Sequence, residues 1–332
     1  MLGTDAKERI YAPVAEDLEK VIANIAGVAE SNSAGPPPEI ESRLAQVLAT
    51  PGKRIRPAIT LLVSRLWGRV PDDRTIKMAT AVELLHIASL IHDDTVDSAD
   101  TRRGHATASN LWGGNIAVLL GDFVFATSAT FVCDTNSVRL IRRFAQTIAE
   151  LSRGELNEIL DSWTVNTDQP KYLQRIYDKT ASLFSTSAES GAVLGEGDED
   201  SIANLREYGY NLGMAYQVLD DLLDYESTTE QLGKPSANDL SNGVLTMPAI
   251  LAMEEPAARA KITKYLTTPA GERDEFLAPA YDAICQSGAL ERTRQAVTDY
   301  VATAMSKLET LPASESREAL FHLTDFIRDR KF

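Results

Sequence analysis

Apolar residues recur at i, i+3 and i+4 through most of this chain, the spacing of amphipathic or buried helices. Leu84, Leu85, Ala88 and Ile91 form one such stripe, and Leu212, Tyr216, Leu219 and Leu223 another. Breaks are few and far apart: Ser31–Pro38, Arg69–Asp73, Val165–Pro170, Gly195–Asp200, Thr267–Arg273 and Pro312–Ser316. The segments between them run roughly 20–40 residues. No alternating run is bounded by an Asn-Gly or Asp-Gly turn, so strands are not expected. No fixed-period repeat, low-complexity tract or long Gly/Ser linker divides the chain. The pattern predicts an all-α fold: a single domain of many long helices occupying residues 1–332.

One apolar run, Ile116 to Cys133, is long enough to span a bilayer, but it contains Asp122, Thr127, Ser128 and Thr130. A carboxylate is costly in lipid, so the run reads as a helix buried in a soluble core, with Asp122 paired to an Arg or a backbone group. The first twenty residues lack the apolar stretch of a signal peptide. With 33 Lys+Arg against 48 Asp+Glu the net charge is −15, which argues against nucleic acid and against a polybasic membrane anchor. Cys133 and Cys285 form no CxxC pair, and a reduced cytoplasmic compartment is expected. Four histidines without an HxxxH pair make a His/Cys zinc site an unlikely reading of the composition.

Two clusters carry candidate chemistry. Asp93-Asp94-Thr-Val-Asp97 and Asp220-Asp221-Leu-Leu-Asp224 both read DDxxD and both interrupt apolar helical patterns. On a helix, residues i and i+4 share a face, so Asp93 points with Asp97 and Asp220 with Asp224. Like charges at that spacing repel, and a cation must offset them. Oxygen-only donors suit a hard ion, Mg²⁺, which takes one or two carboxylates and fills its shell with water and phosphate oxygens. Asp94 and Asp221 point about 100° away and are alternative ligands or supports. A solvated charge run would explain one such cluster; two copies inside apolar helices argue for a site.

Basic residues stand beside the acidic ones: Gly52-Lys53-Arg54-Ile55-Arg56-Pro57, Arg102-Arg103-Gly104, Lys179-Thr180 and Gly233-Lys234-Pro235. Arginine forks and lysine point charges suit phosphate oxygens. Neither a P-loop nor a GxGxxG is present. The chemistry indicated is diphosphate held between Mg²⁺ and fixed cations, in a pocket walled by apolar helix faces.

GKRIRP, ELLHIASLIHDDTVD, RRGHATASNLWGGNIAVLLGDF, KTASLF and GMAYQVLDDLLDY…QLGKP together resemble the trans-polyprenyl diphosphate synthases, the class I isoprenyl diphosphate synthase family, over a motif-bearing core of about residues 50–250. The resemblance implies a bundle of long antiparallel helices around a central cavity, a homodimer, and condensation of isopentenyl diphosphate with an allylic diphosphate, releasing pyrophosphate. It implies that Asp93, Asp97, Asp220 and Asp224 hold Mg²⁺, that Arg102, Lys179 and Lys234 neutralise the allylic leaving group, and that Lys53, Arg56, His86 and Arg103 bind isopentenyl diphosphate. Thr180 and Gln217 are expected near the developing allylic cation, and Glu155 and Glu158 as supports. The basic C-terminal run Arg328–Phe332 is expected to help close the isopentenyl diphosphate site.

The sequence departs from the family pattern after Lys234. A Gly is usual before the aspartate and a lysine after it; here the stretch runs Lys234-Pro-Ser-Ala-Asn-Asp239-Leu-Ser-Asn-Gly243-Val244, and Val244 stands where the lysine is expected. Geranylgeranyl diphosphate synthase, a class I terpene cyclase and a non-catalytic partner subunit are the rival readings. The second DDxxD with GKRIRP and RRG disfavours the cyclase, and two intact acidic motifs disfavour the inert subunit. The growing chain should run down the helix from Asp93, past Ala88 and Ser89 and then Leu85. Small residues at the first two positions predict a product longer than farnesyl, with Phe125 and Phe131 as candidate floor residues. Transient membrane contact would accompany a lipid product.

Overall fold

A computed structural model describes residues 4–30, 38–50, 52–102, 104–226 and 237–330. Its helices are α1 (Thr4–Tyr11), α2 (Ala15–Gly27), α3 (Pro38–Leu48), α4 (Ile55–Ser64), α5 (Asp73–Val96), α6 (Ala108–Trp112), α7 (Gly114–Cys133), α8 (Val138–Asp161), α9 (Gln169–Ile176), α10 (Ser182–Leu194), α11 (Glu199–Glu226), α12 (Asn238–Ser241), α13 (Met247–Ala252), α14 (Pro256–Thr267), α15 (Asp274–Gln286), α16 (Ala289–Glu309) and α17 (Glu315–Arg328). A 3₁₀ turn, Ala12–Val14, links α1 to α2, and a π-helical turn, Tyr177–Ala181, joins α9 to α10. Among the described residues the strands are β1 (Thr101–Arg102) and β2 (His105–Ala106), an antiparallel hairpin in which Thr101 faces Ala106. The all-α expectation holds.

Local chemistry sets the two helices that matter most. Asp72 caps α5 by accepting a hydrogen bond from the Thr75 amide at 3.0 Å, a contact worth ~1 kcal/mol. From there α5 is buried almost all round, with Met78, Ala79, Ala81, Val82, Leu84 and Leu85 at 0–2% exposure, and it ends at Asp97. Helix α11 feeds two cores. Its first half (Ile202, Leu205, Tyr208, Leu212) joins the cluster built on α4, α5 and α17, and its second half (Met214, Val218, Leu222) joins the cluster built on α13 to α16. A third cluster beneath α5 gathers Met78, Leu85, Leu140, Phe144 and Leu183.

The apolar run at 116–133 forms α7, but it is not wholly buried. Ala117, Leu120, Gly121 and Val124 are buried, whereas Val118 is 42% and Leu119 67% exposed. At Gly121 a Cβ would come within 2.2 Å of the His92 imidazole, so glycine is what lets α7 lie close against α5. Among the described residues the partner of Asp122 is not an arginine or a backbone group but His92, at 3.4 Å, whose Nε2 also lies 3.2 Å from the Val118 carbonyl.

Candidate active site

Both acidic motifs lie in the last turns of their helices, Asp93–Asp97 on α5 and Asp220–Asp224 on α11. The C-terminal end of a helix is its negative pole, so these carboxylates add charge where charge is already disfavoured. GKRIRP does the reverse. Lys53, Arg54 and Arg56 stand at the start of α4, the positive pole that receives anions. All of these but Asp221 face one cavity of about 1070 Å³, whose wall includes Asp93, Asp94, Asp97, Asp220, Asp224, Lys53, Arg56, His86, Arg102, Lys179, Thr180 and Gln217. Residues scattered over most of the sequence thus converge on one cavity. Arg103 and Lys234 lie outside the described residues, as do Lys331 and Phe332 of the C-terminal run.

The first motif is short of positive partners. Burial, and then the Glu155 charge, push the Asp93 carboxyl up to about 7, against the pull of Lys179 and Arg102. Asp94 is buried and accepts a hydrogen bond from Arg102 Nε at 2.6 Å, so it positions that arginine at the cavity wall. Asp97 ends the helix, its amide bonded to the Asp93 carbonyl at 2.8 Å.

The second motif is held on every side. Asp221, with 2% exposure, is absent from the cavity wall. It accepts hydrogen bonds from Tyr172 Oη (2.5 Å) and Gln217 Nε2 (2.8 Å), and burial still raises its pKa to about 6. Its buried bonds make it a support, and it is removed from the candidate ligands. Asp224 accepts the Asn238 and Asp239 amides, each at 3.0 Å. Those amides converge because Ala237 adopts a left-handed conformation, φ 59°, ψ 50°, also donating its own amide to the Asp224 carbonyl. Such a turn forms an anion nest, and its backbone explains the expectation of glycine there. Burial raises the Asp224 pKa despite the two amides.

Lys179 and Thr180 project from the π turn, which is stabilised by neighbours rather than by its own geometry. Gly154 of α8 packs on it so closely that a Cβ would lie 2.5 Å from the Lys179 amide nitrogen. Lys179 Nζ reaches Glu158 at 2.6 Å and Glu155 at 3.1 Å. Burial works against its charge, and the two glutamates more than offset that, leaving its pKa raised. Thr180 Oγ1 donates to Gln217 Oε1 at 2.7 Å, so Thr180, Gln217, Asp221 and Tyr172 form one hydrogen-bonded chain.

Three further residues on the wall had no individual role assigned from the sequence, though Arg54 lies in GKRIRP and Arg330 in the basic C-terminal run. Arg54 opens α4 with φ 52° and donates to Glu83, itself buried, at 2.6 Å. Tyr216 lies on the stripe already counted as core, yet lines the cavity. Arg330 reaches in from beyond α17 and pairs with Asp220. Of the chain-length candidates, only Ser89 lines the cavity. Ala88 is buried in the main cluster and Leu85 in the cluster beneath α5, against both of which Phe125 and Phe131 pack.

The donors fit a hard divalent cation. Oxygen ligands on two helix C-termini, with Asp93 and Asp224 pushed toward neutrality, gain from any cation that joins them. Among the described residues no three carboxylates or imidazoles form a closed metal cluster. The set is therefore split, and a bound ion would complete its shell with water and substrate oxygens.

An all-α bundle whose cavity sets two aspartate motifs against a wall of fixed cations defines a class of enzyme that handles diphosphates with divalent metal. Comparison with known proteins is more particular. The "Polyprenyl synthetase" family pattern matches residues 37–284. The heptaprenyl diphosphate synthase component 2 of Bacillus subtilis is 36% identical over 286 residues, covering 86% of this chain and 81% of that one. A decaprenyl diphosphate synthase from Rhodobacter capsulatus superposes with a TM-score of 0.87 at 34% identity, covering 97% of this chain and 98% of the other. A polyprenyl synthase from Caulobacter crescentus, solved with calcium and isoprenyl diphosphate, gives 0.87 at 35% identity and 98% of each chain. The chain belongs to the polyprenyl synthetase family and is a prenyltransferase.

Proposed function

We propose that the protein condenses isopentenyl diphosphate with an allylic diphosphate, with Mg²⁺, to make a polyprenyl diphosphate longer than farnesyl, and releases pyrophosphate. The observation that carries this reading is the convergence of Asp93, Asp97, Asp220 and Asp224 on one cavity with Lys53, Arg56, Arg102 and Lys179. The long-chain names of relatives support the product class: heptaprenyl and decaprenyl for those above, solanesyl for plant chloroplast enzymes. Calcium in the Caulobacter structure supports a divalent cation.

Asp93, Asp97, Asp220 and Asp224 would hold the metal, which supplies charge neutralisation for a departing pyrophosphate. Arg102, steadied by Asp94, and Lys179, steadied by Glu155 and Glu158, add fixed positive charge at the same wall. Such preorganised charge is what makes ionisation affordable in a cavity walled by apolar side chains. Lys53 and Arg56, at the positive pole of α4, hold the second diphosphate, and Arg56 is fixed by stacking 4.6 Å over Phe184. The hydrogen-bonded chain through Asp221 orients the Gln217 carboxamide and Thr180 hydroxyl toward the reacting carbons.

We further propose a cytoplasmic homodimer that covers the apolar side chains exposed on α7 and α8, namely Val118, Leu119, Leu156, Ile159 and Leu160. The word "component" in the Bacillus subtilis name favours, as a second reading, a hetero-oligomer with the same face covered. Light scattering on the purified chain separates the two. The function itself is tested by pyrophosphate release from isopentenyl and farnesyl diphosphates with and without Mg²⁺, followed by mass analysis of the dephosphorylated products. Release that needs both substrates and the metal, with products beyond farnesyl, is expected; release from the allylic substrate alone would indicate a cyclase.

A further inference from the structure

Arg330 is placed where a metal ligand should be free. It lies two residues beyond α17, yet its side chain is only 10% exposed. The guanidinium pairs with Asp220 Oδ1 and stacks on the Tyr216 ring, 4.3 Å from its centroid. The helix that delivers it is anchored. Leu320, Leu323 and Ile327 are fully buried, and Tyr208 Oη lies 3.3 Å from the Leu320 carbonyl and 3.2 Å from Thr324 Oγ1. Arg328 is tied to Asp325 and Asp329 on the helix's own surface, at 2.9 and 2.8 Å. Arg330 thus follows the anchored helix by two residues, with Asp329 as the C-cap between them.

We propose that Arg330 is a built-in counter-ion of Asp220 that yields to a divalent cation and passes to the diphosphate that arrives with it. The proposal rests on the reading of Asp220 as a metal ligand. A divalent ion brought to Asp220 meets the guanidinium already paired with it, and the two cations repel at that distance. Metal alone must evict Arg330 with no new anion to receive it. Metal with diphosphate supplies that anion on the same cavity wall, beside Arg102 and Lys179. The tail thus couples occupancy of the second motif to the presence of substrate: the site resists bare metal and accepts the metal–diphosphate pair.

The test is Mn²⁺ binding to the full chain, read from the electron paramagnetic resonance of the free ion, with and without inorganic pyrophosphate. Four proteins are compared: wild type, Arg330→Gln, Arg330→Lys and Asp220→Asn. Without pyrophosphate, Arg330→Gln should bind Mn²⁺ about threefold to tenfold more tightly than wild type, the range for losing a half-buried competing ion pair. Arg330→Lys, which keeps the charge, should stay nearer wild type. Pyrophosphate should tighten Mn²⁺ binding less in Arg330→Gln than in wild type. Unchanged Mn²⁺ affinity in Asp220→Asn would overturn the metal assignment itself. Weakened binding in Asp220→Asn, with Arg330→Gln no tighter than wild type, would overturn the counter-ion proposal alone.

Discussion

The two DDxxD motifs share a spelling and differ in almost everything else. On α5 the first and last aspartates face the cavity with no backbone amide bound to their carboxylates among the contacts described, and Asp93 is driven up to about 7. On α11 every member is occupied: Asp220 by Arg330, Asp221 by Tyr172 and Gln217, Asp224 by two amides of a left-handed turn. The middle aspartates differ as well. Asp94 holds an exposed-side arginine, while Asp221 closes a buried hydrogen-bonded chain. One motif is an electrostatic deficit awaiting a cation, and the other is a preformed frame. Equal charge at equal helical spacing therefore does not give equal sites; the neighbours decide.

The comparison is most sharply broken at its outer aspartates. Asp93→Ala and Asp220→Ala should each reduce kcat by about a thousandfold or more while far-UV circular dichroism stays unchanged, since neutralisation of the leaving group is lost in both. Wild-type turnover in either at saturating Mg²⁺ would remove that motif from the site. The middle aspartates should separate on stability. Asp221→Ala leaves the buried Tyr172 hydroxyl unpaired and should cost ~2 kcal/mol in urea unfolding. Asp94→Ala releases Arg102, 37% exposed, into water and should cost ~1 kcal/mol or less. Equal losses would erase the distinction between frame and deficit.

The third test uses pH. Asp93 has a folded pKa of about 7, above the ordinary 3.8, so between those values the folded protein binds more protons than the unfolded one. Its ionisation costs no stability below about pH 4, costs more as pH rises, and imposes its full penalty above about pH 7. In metal-free buffer Asp93→Asn should raise Tm by a few degrees at pH 8 and leave it unchanged at pH 4.5; added Mg²⁺ should shrink the difference. An equal gain at both pH values would show that burial, and not charge, is the source. The smallest effect concerns product length. Ser89→Phe projects into the cavity beneath Asp93 and should shorten the product by one or a few isoprene units. Ala88→Phe overpacks a buried position and should lower stability by ~1–3 kcal/mol without a clean shift in product. The reverse pattern would place the chain's path on the Ala88 side of α5.

Helices, motifs and most cavity residues were legible because they rest on short-range rules: apolar periodicity, i and i+4 geometry, and charge next to apolar surface. Asp93 and Asp97 needed nothing more, whereas Lys53 and Lys179 took their roles from the family resemblance of the motifs that contain them. What was not legible depends on which surfaces meet. Nothing in the local spelling of the second motif separates Asp221 from Asp94; the difference is Tyr172, some fifty positions away. His92 as the partner of Asp122 follows from Gly121 letting two helices close together. The exposed side of α7 was misread as core because an apolar run reports only that water is disfavoured, not what replaces it.

The π turn at Tyr177–Ala181 carries a last consequence, about length. A turn bonded i to i+5 spends more residues on a revolution than the helix on either side. Removing one residue there would let the backbone rewind as ordinary α-helix, with α9 and α10 left nearly in phase because the wide turn already absorbs the extra residue. The residues inside the turn would not keep their places, and among them are Lys179 and Thr180, which reach Glu155, Glu158 and Gln217. The extra residue thus serves the cavity wall, and shortening the turn by one would alter that wall while sparing the helices on either side.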